Sequence, residues 1–208
     1  RKYAALWGIK PEGVILNASH THYAPGTLER VVSCLGEAHT GFARSVTHAI
    51  IRALPRLRQT LAPVSLEVGS TEALLGIFRR SYDEQGRLVG MTPNQDRARS
   101  YQHVGLARLS WRDQPRDLIL VNLGSHPTEF GNIAMISSAF VGGLRASLQA
   151  DQDMREVMFL QGCAGDHKSG YDDGESLRWI EQFSEVDEMI KPVVSAIRAK
   201  LQSGLRSV

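Results

Sequence analysis

The order of apolar and polar positions along the chain predicts strands and helices in turn. Short apolar runs predict strands at Gly13–Ala18, Val64–Val68, Val104–Trp111, Leu118–Leu123 and Glu156–Leu160. Apolar residues at helical spacing predict helices over Thr40–Leu57, Ile133–Leu148 and Glu175–Leu201. The polar segment Tyr82–Gln95 is typical of a hairpin or a long loop. This alternation favours an α/β fold, a layered α/β/α domain with a mixed, largely parallel sheet.

The composition is that of a globular protein with 208 residues, 42% of them hydrophobic and 22% charged. One core is the simplest arrangement at this length, so we expect a single α/β domain over residues 1–208. No apolar run is long enough to predict a transmembrane segment. The formal charge is +2 and the basic residues are scattered, so we expect no nucleic-acid partner.

Neither the cysteines nor the N-terminus indicates a compartment. Cys34 and Cys163 are too few for a disulfide framework; they can pair with each other, but we expect free thiols. The chain opens Arg1-Lys2-Tyr3 without a recognisable leader, so a secreted, periplasmic or cytoplasmic location is equally open.

Three of the predicted strands run into small, polar, glycine-containing loops. The loops are Ser19–His22, Gly124–Thr128 and Gln161–His167, and four of the seven histidines lie in them. Loops at the carboxyl ends of strands form the ligand crevice of α/β sheets. The sequence therefore predicts that these histidines gather at one site.

The histidines are of the type and spacing that bind a metal ion. His20 and His22 are two residues apart, and on an extended segment their side chains point to the same side. Imidazole suits zinc, and a catalytic zinc commonly has three protein ligands. We expect His20, His22 and His126 to converge on one divalent ion, with either both or one of the first pair binding it.

Each of these signals also has a structural interpretation. A His-x-His pair is common by chance, a His-Pro-Thr turn is often structural, and Asp166 can cap the segment that follows it. His39 and His48 lie on or near a predicted helix, where surface or packing roles are expected, and His103 has no evident partner. The metal hypothesis therefore depends on the three loops together.

Four segments resemble, in order, motifs of the neutral/alkaline, non-lysosomal ceramidases and their bacterial relatives. Ile15–Gly26 resembles "SHTHSGPG", and Gly76–Tyr82 with Arg79-Arg80 is similar to "NRR", although Phe78 replaces the family's Asn. Val121–Thr128 resembles "VNFAxHPT", and Phe159–Asp166 resembles "FLQGxxGD". These matches span nearly the whole chain.

The resemblance implies a zinc-dependent hydrolase that cleaves the N-acyl amide bond of a ceramide-like lipid or a related small molecule. His20 and His126 would then be metal ligands, and His22, Arg79 and Asp166 would be catalytic or lie near the substrate. The family's remaining ligands, a Glu and a Tyr, come from a later part of the chain. We therefore expect this chain to be part of a larger catalytic domain whose remainder completes the site.

The sequence departs from the family at several positions. Lys168 stands where the family has a proposed catalytic serine, with Ser169 one residue further on, and Ala139 replaces an aspartate. His167 is absent from the usual motif and is a candidate replacement ligand. Two other functions stay open, a non-catalytic binding or structural domain with an incomplete metal site, and a phosphoesterase with two metals bridged by Asp166.

Overall fold

The computed structural model describes residues 8–27, 39–131, 135–150 and 156–208. These fall into two compact units, one with the segments up to Leu16 and Ala24–Pro63, the other with Asn17–Tyr23 and Val64–Val208. The single domain expected over residues 1–208 stays a prediction. Cys34 lies outside the described residues, whereas Cys163 is an exposed free thiol.

The first unit contains a short 3-10 turn at Pro11–Gly13 and the long helix α1, Thr40–Gln59. The helix predicted over Thr40–Leu57 is confirmed. Pro55 lies inside its last turns without ending it. Arg56 and Arg58 follow in the last turn, where positive charge is favourable beside the free carbonyls of a helix end.

The second unit is built on strands. The described strands, in chain order, are β1 Ser65–Leu74, β2 Gly76–Phe78, β3 Arg80–Tyr82, β4 Leu88–Met91, β5 Tyr101–Ser110, β6 Leu118–Leu123, β7 Glu156–Gln161, β8 His167–Asp172, β9 Leu177–Trp179 and β10 Arg206–Ser207. Five of them form one sheet in the order β10-β1-β5-β6-β7, in which only β6 and β7 pair in parallel. The predicted α/β class with a mixed sheet is confirmed, although its parallel share is smaller than expected.

The second unit also contains two smaller sheets. Strands β3 and β4 form the hairpin expected in Tyr82–Gln95, which begins two residues earlier than predicted. Strands β2, β8 and β9 form a three-stranded sheet that the apolar pattern did not predict. These strands are short, and β8 has the mixed sequence His-Lys-Ser-Gly-Tyr-Asp without apolar alternation.

Three further helices complete the second unit: α2 Arg97–Ser100, α3 Phe140–Gln149 and α4 Glu185–Ser203. The longer two contact each other and share one apolar core with the large sheet, so they cover the same face of it. In the described part of the chain, no helix has the length and apolarity that a membrane crossing requires.

Two of the predicted helices begin too early. Of the helix predicted over Ile133–Leu148, Ile133 itself lies outside the described residues, and the described helix starts at Phe140. Before it, Ser137 donates its backbone N–H to the carbonyl of Tyr23, and Ala139 adopts a positive φ of 55°. The helix predicted from Glu175 starts at Glu185, because Leu177–Trp179 pairs with β8.

The strand predicted at Gly13–Ala18 is wrong. Ile15 and Leu16 are 85% and 82% exposed, so the apolar run is not buried as a strand core would be. The side-chain amide of Asn17 instead makes two hydrogen bonds to the backbone of Gln161, donating to its carbonyl (3.0 Å) and accepting from its N–H (2.9 Å). A single side chain thus pairs with the backbone at the end of β7.

Glycines allow the ends of β6 and β7 to approach each other closely. A Cβ on Gly124 would overlap the backbone carbonyl of Cys163, and one on Gly162 would lie 3.0 Å from the carbonyl group of Leu123. Gly162 donates its N–H to that same Leu123 oxygen at 2.8 Å. The two loops that follow these strands are therefore held against each other by backbone contact.

We expect Gly124→Ala to destabilise the protein by about 1–3 kcal/mol, the usual cost of inserting a methyl group into a packed site. Gly165→Ala is the matched control, since a Cβ at this position would have no atom within 4 Å and the φ of Gly165 is not positive. Urea unfolding measures both variants, and an unchanged midpoint for Gly124→Ala would contradict the close approach of the two loops.

Candidate metal centre

Three histidine side chains of the second unit meet at one point. Nε2 of His20 lies 3.0 Å from Nε2 of His126 and 3.4 Å from Nε2 of His22. One ring nitrogen from each residue lies within 4.8 Å of the others. His20 and His22 are exposed and His126 is half-buried, so the group opens to solvent on one side.

His20 and His22 are held by the residues between and after them. Thr21 donates its hydroxyl to the carbonyl of Ser137 (2.8 Å), and the buried Tyr23 accepts the N–H of Phe130 on its phenolic oxygen (2.6 Å). Thr21 and Tyr23 are thus anchored in the fold while the two histidines point to the other side. His20 has a positive φ of 62°, a backbone region that non-glycine residues rarely adopt, so the segment is not the extended one expected.

His126 is fixed by hydrogen bonds on both its backbone and its ring. Its N–H donates to the carbonyl of His167 (3.1 Å), and its carbonyl accepts the hydroxyl of the buried Ser169 (2.6 Å). Nδ1 of the ring lies 3.0 Å from the carbonyl oxygen of Ala164. Because a carbonyl oxygen can only accept a hydrogen bond, Nδ1 must carry the proton. The ring is therefore oriented with Nε2 unprotonated and facing the other two histidines.

The donor set fits a zinc ion. Zinc binds imidazole nitrogen at about 2.0–2.1 Å with tetrahedral angles, which places neighbouring ligand nitrogens about 3.3–3.4 Å apart. The separations of 3.0 and 3.4 Å between these ring nitrogens are close to that value. A metal-binding histidine characteristically donates its second ring nitrogen to a carbonyl or carboxylate, as His126 does to Ala164. These histidines can bind a metal.

The charge state of the site also suits a metal ligand. Burial lowers the pKa of His22, and the nearby His126, His20 and Arg79 lower it further. Burial likewise lowers the pKa of His126, against the opposing effect of its bond to Ala164. A lowered pKa keeps imidazole neutral to lower pH, and the neutral form is the one that binds a metal.

Arg79, predicted near the substrate, lies next to the histidines. Its Nε donates to the carbonyl of Gly165 (3.0 Å) and its backbone N–H to the carbonyl of Asp166 (2.8 Å). His126 is hydrogen-bonded to the carbonyl of Ala164, the residue before Gly165. The side chains of His126 and Arg79 therefore bind neighbouring residues of the same loop. Asp166 forms an ion pair with Arg80 and is not among the grouped metal-ligand atoms of the described residues.

The remaining candidate residues lie outside the histidine group. His167 places Nε2 2.9 Å from the carbonyl of Arg99, and Ser169 is buried, donating to His126 and to Glu129 (3.1 Å). His103 is exposed beside Glu72 on β1, and His39 and His48 are exposed in the first unit. The catalytic roles of His22, Arg79 and Asp166 and the ligand roles of His20 and His126 stay predictions.

Glu129 is a residue of this region that the sequence did not indicate. Its side chain is 2% exposed, and burial raises its pKa. One carboxyl oxygen accepts the N–H of Phe140 (3.0 Å) and the hydroxyl of Ser169. Its position three residues after His126 was the only available signal.

Two solved structures share the fold of this chain. The neutral ceramidase from Pseudomonas aeruginosa matches with a TM-score of 0.61 and 19% identity, covering 100% of this chain and 35% of that one. A ceramidase complexed with C2 matches with a TM-score of 0.60 and 18% identity, covering 100% and 34%. No protein-family model and no curated protein sequence matches. The chain spans about a third of the length of these ceramidase structures and has a ceramidase-like fold.

Proposed function

We propose that this protein is a zinc-dependent hydrolase resembling neutral ceramidase, which cleaves the N-acyl amide bond of a lipid or related substrate. The observation that carries the proposal is the convergence of His20, His22 and His126, with ring nitrogens within 4.8 Å of one another. The ceramidase-like fold supports the hydrolase class. The proposal of a lipid substrate depends on the same structural similarity to ceramidases.

In this proposal His20 and His126 would hold the ion through Nε2. When bound, zinc supplies the Lewis acidity that polarises an amide carbonyl. His22 would lie beside the bound ion, and its lowered pKa leaves the imidazole neutral at neutral pH and able to accept a proton. Arg79, fixed on the neighbouring loop by Gly165, would place a positive charge beside the bound substrate.

A second function, a non-catalytic relative that binds metal or ligand without turnover, is favoured by Ser169. The serine hydroxyl is buried, with its single proton shared between the carbonyl of His126 (2.6 Å) and the carboxyl of Glu129 (3.1 Å), so it is not exposed to a substrate. Lys168, which stands at the family's serine position, has no hydroxyl to offer. A mechanism in this chain therefore depends on the histidines and on water rather than on a serine.

Zinc affinity tests the metal centre directly. We expect one zinc ion per chain, with His20→Ala and His126→Ala each weakening binding by more than about 100-fold, since even removal of a supporting residue commonly costs 10–100-fold. His103→Ala is the control, because this histidine is exposed and lies beside Glu72. Equal zinc affinity in all four proteins, measured by competition with a chromophoric chelator, would refute the site.

The lowered pKa of His126, one of the two proposed ligands, extends its metal binding to lower pH. Protons compete with zinc for the same ring nitrogen, and the charge of Arg79 is one of the causes that lower this pKa. Arg79→Gln removes that charge, so zinc affinity should fall at a higher pH in this variant than in the wild-type protein. Zinc titrations of both proteins from pH 5 to 8 measure this, and identical pH profiles would contradict the effect of Arg79.

Hydrolysis distinguishes the two functions. We expect release of fatty acid from short N-acyl amides, loss of that activity with a chelator and recovery with added zinc. His22→Gln should lower kcat by about 100-fold or more while retaining zinc, as expected for a general base. Stoichiometric zinc without turnover on a panel of N-acyl lipids, amides and esters would instead establish the non-catalytic function.

A further inference from the structure

Lys168 lies on the same side of its sheet as the ring of His126. The two residues pair across an isolated parallel bridge, and directly paired residues project their side chains to the same face. The Lys168 ammonium stacks on the ring of Trp179, with Nζ 4.4 Å from the ring centre. The ring of Trp179 thereby holds a cation on the face to which His126 also projects.

Arg79 brings a second cation to the same place. Its pairing with Gly165 and Asp166 extends the β2–β8 ladder by one residue beyond the pair of Phe78 and His167. Its charge lowers the pKa of His22, of His126 and of Lys168. Arg79 is therefore close to all three groups.

Neither cation has an acidic partner at ion-pair distance among the described residues. Asp166, the nearest carboxylate in sequence, pairs with Arg80. Glu129 and Glu181 act on Lys168 only at longer range, and Glu129 is committed to Phe140 and Ser169. Arg79 and Lys168 are both partly buried, so solvent compensates their charges only in part. In the described part of the chain, the side of the site formed by Arg79 and Lys168 is thus positively charged and has no carboxylate at ion-pair distance from either cation.

We propose that the substrate of this site carries an anionic group, a carboxylate or a phosphate, that binds between Arg79 and Lys168. This inference rests on the proposed hydrolase function and names its substrate class: an N-acyl amino acid or a phosphorylated N-acyl amine. A neutral N-acyl amino alcohol leaves both cations without a charged partner, whereas an anionic substrate accepts charge-assisted hydrogen bonds from each of them. The guanidinium offers a planar pair of donors and the ammonium a point charge.

Binding to the metal-free protein tests the inference independently of catalysis. The probes are N-octanoylglycine and N-octanoylethanolamine, which differ in a carboxylate against a hydroxymethyl group, and the phosphate ester of the second. We expect at least one anionic probe to bind about tenfold or more tightly than the neutral one, a ratio that corresponds to about 1.4 kcal/mol. Calorimetry gives the affinities. Because Lys168 stacks on Trp179, binding of an anionic probe should also change the tryptophan fluorescence, and Trp179→Phe should abolish that change.

Variants identify the cations responsible. Lys168→Met and Arg79→Gln should each abolish most of the preference, measured as the ratio of the affinities for the anionic and the neutral probe. Lys191→Met is the matched control, since this lysine is exposed on α4 and pairs with Glu188. Equal binding of anionic and neutral probes by the wild-type protein, or a preference that survives both variants, would overturn the inference.

Turnover separates this inference from the proposed function. With zinc present, kcat/KM should be about tenfold or more higher for an anionic probe than for the neutral one, and Lys168→Met should remove that ratio. Anion-selective binding without hydrolysis of any probe would sustain the charged subsite and reject the hydrolase. Equal hydrolysis of charged and neutral probes would sustain the hydrolase and reject the charged subsite.

Discussion

The hydrogen bond from Nδ1 of His126 to the carbonyl of Ala164 is the interaction on which the candidate site depends. It fixes the ring's tautomer, so that Nε2 carries a lone pair towards His20. The bond exists only because the loops after β6 and β7 touch, and that contact requires Gly124 and Gly162. A pair of parallel strands without these glycines would separate the loops and leave His126 without its acceptor. Backbone packing thus determines the protonation pattern of the site.

The buried carboxyl of Glu129 connects this site to the rest of the core. Helix α3 begins after Ala139, whose side chain cannot cap it, and Glu129 accepts the first helical N–H, that of Phe140, in place of a capping residue. Ser169 donates to the same carboxyl oxygen and to the carbonyl of His126, so one network joins the helix, β8 and the histidine loop. Burying a carboxyl is costly, and the raised pKa of Glu129 reflects that cost. A carboxyl from another loop thus takes the capping place that Ala139 cannot fill.

The sequence predicted most of what local pattern determines. The helix over Thr40–Leu57, strand β6 and the gathering of histidines from two of the three loops were anticipated correctly, because each depends on periodicity or on strand ends. The strand at Gly13–Ala18 and the third loop's contribution were not, because they depend on tertiary contacts. Asn17 satisfies the edge of β7 with a side chain, and His167 turns to the carbonyl of Arg99. His20 and His22 do meet as strand alternation predicted, but through a different backbone, since His20 has a positive φ.

The electrostatics of the site impose a condition on any ion bound there. Three neutral imidazoles add no negative charge, and in the described residues the nearby carboxylates are either paired, as Asp166 is with Arg80, or buried, as Glu129 is. A divalent cation beside Arg79 would therefore meet repulsion that the histidines do not offset. An anionic ligand reduces this repulsion and neutralises Arg79 as well, so metal and anion should bind more tightly together than separately. By reciprocity of coupled equilibria, each must strengthen the other by the same factor. The positive charge that opposes the metal alone thus favours the complex of metal and anionic substrate.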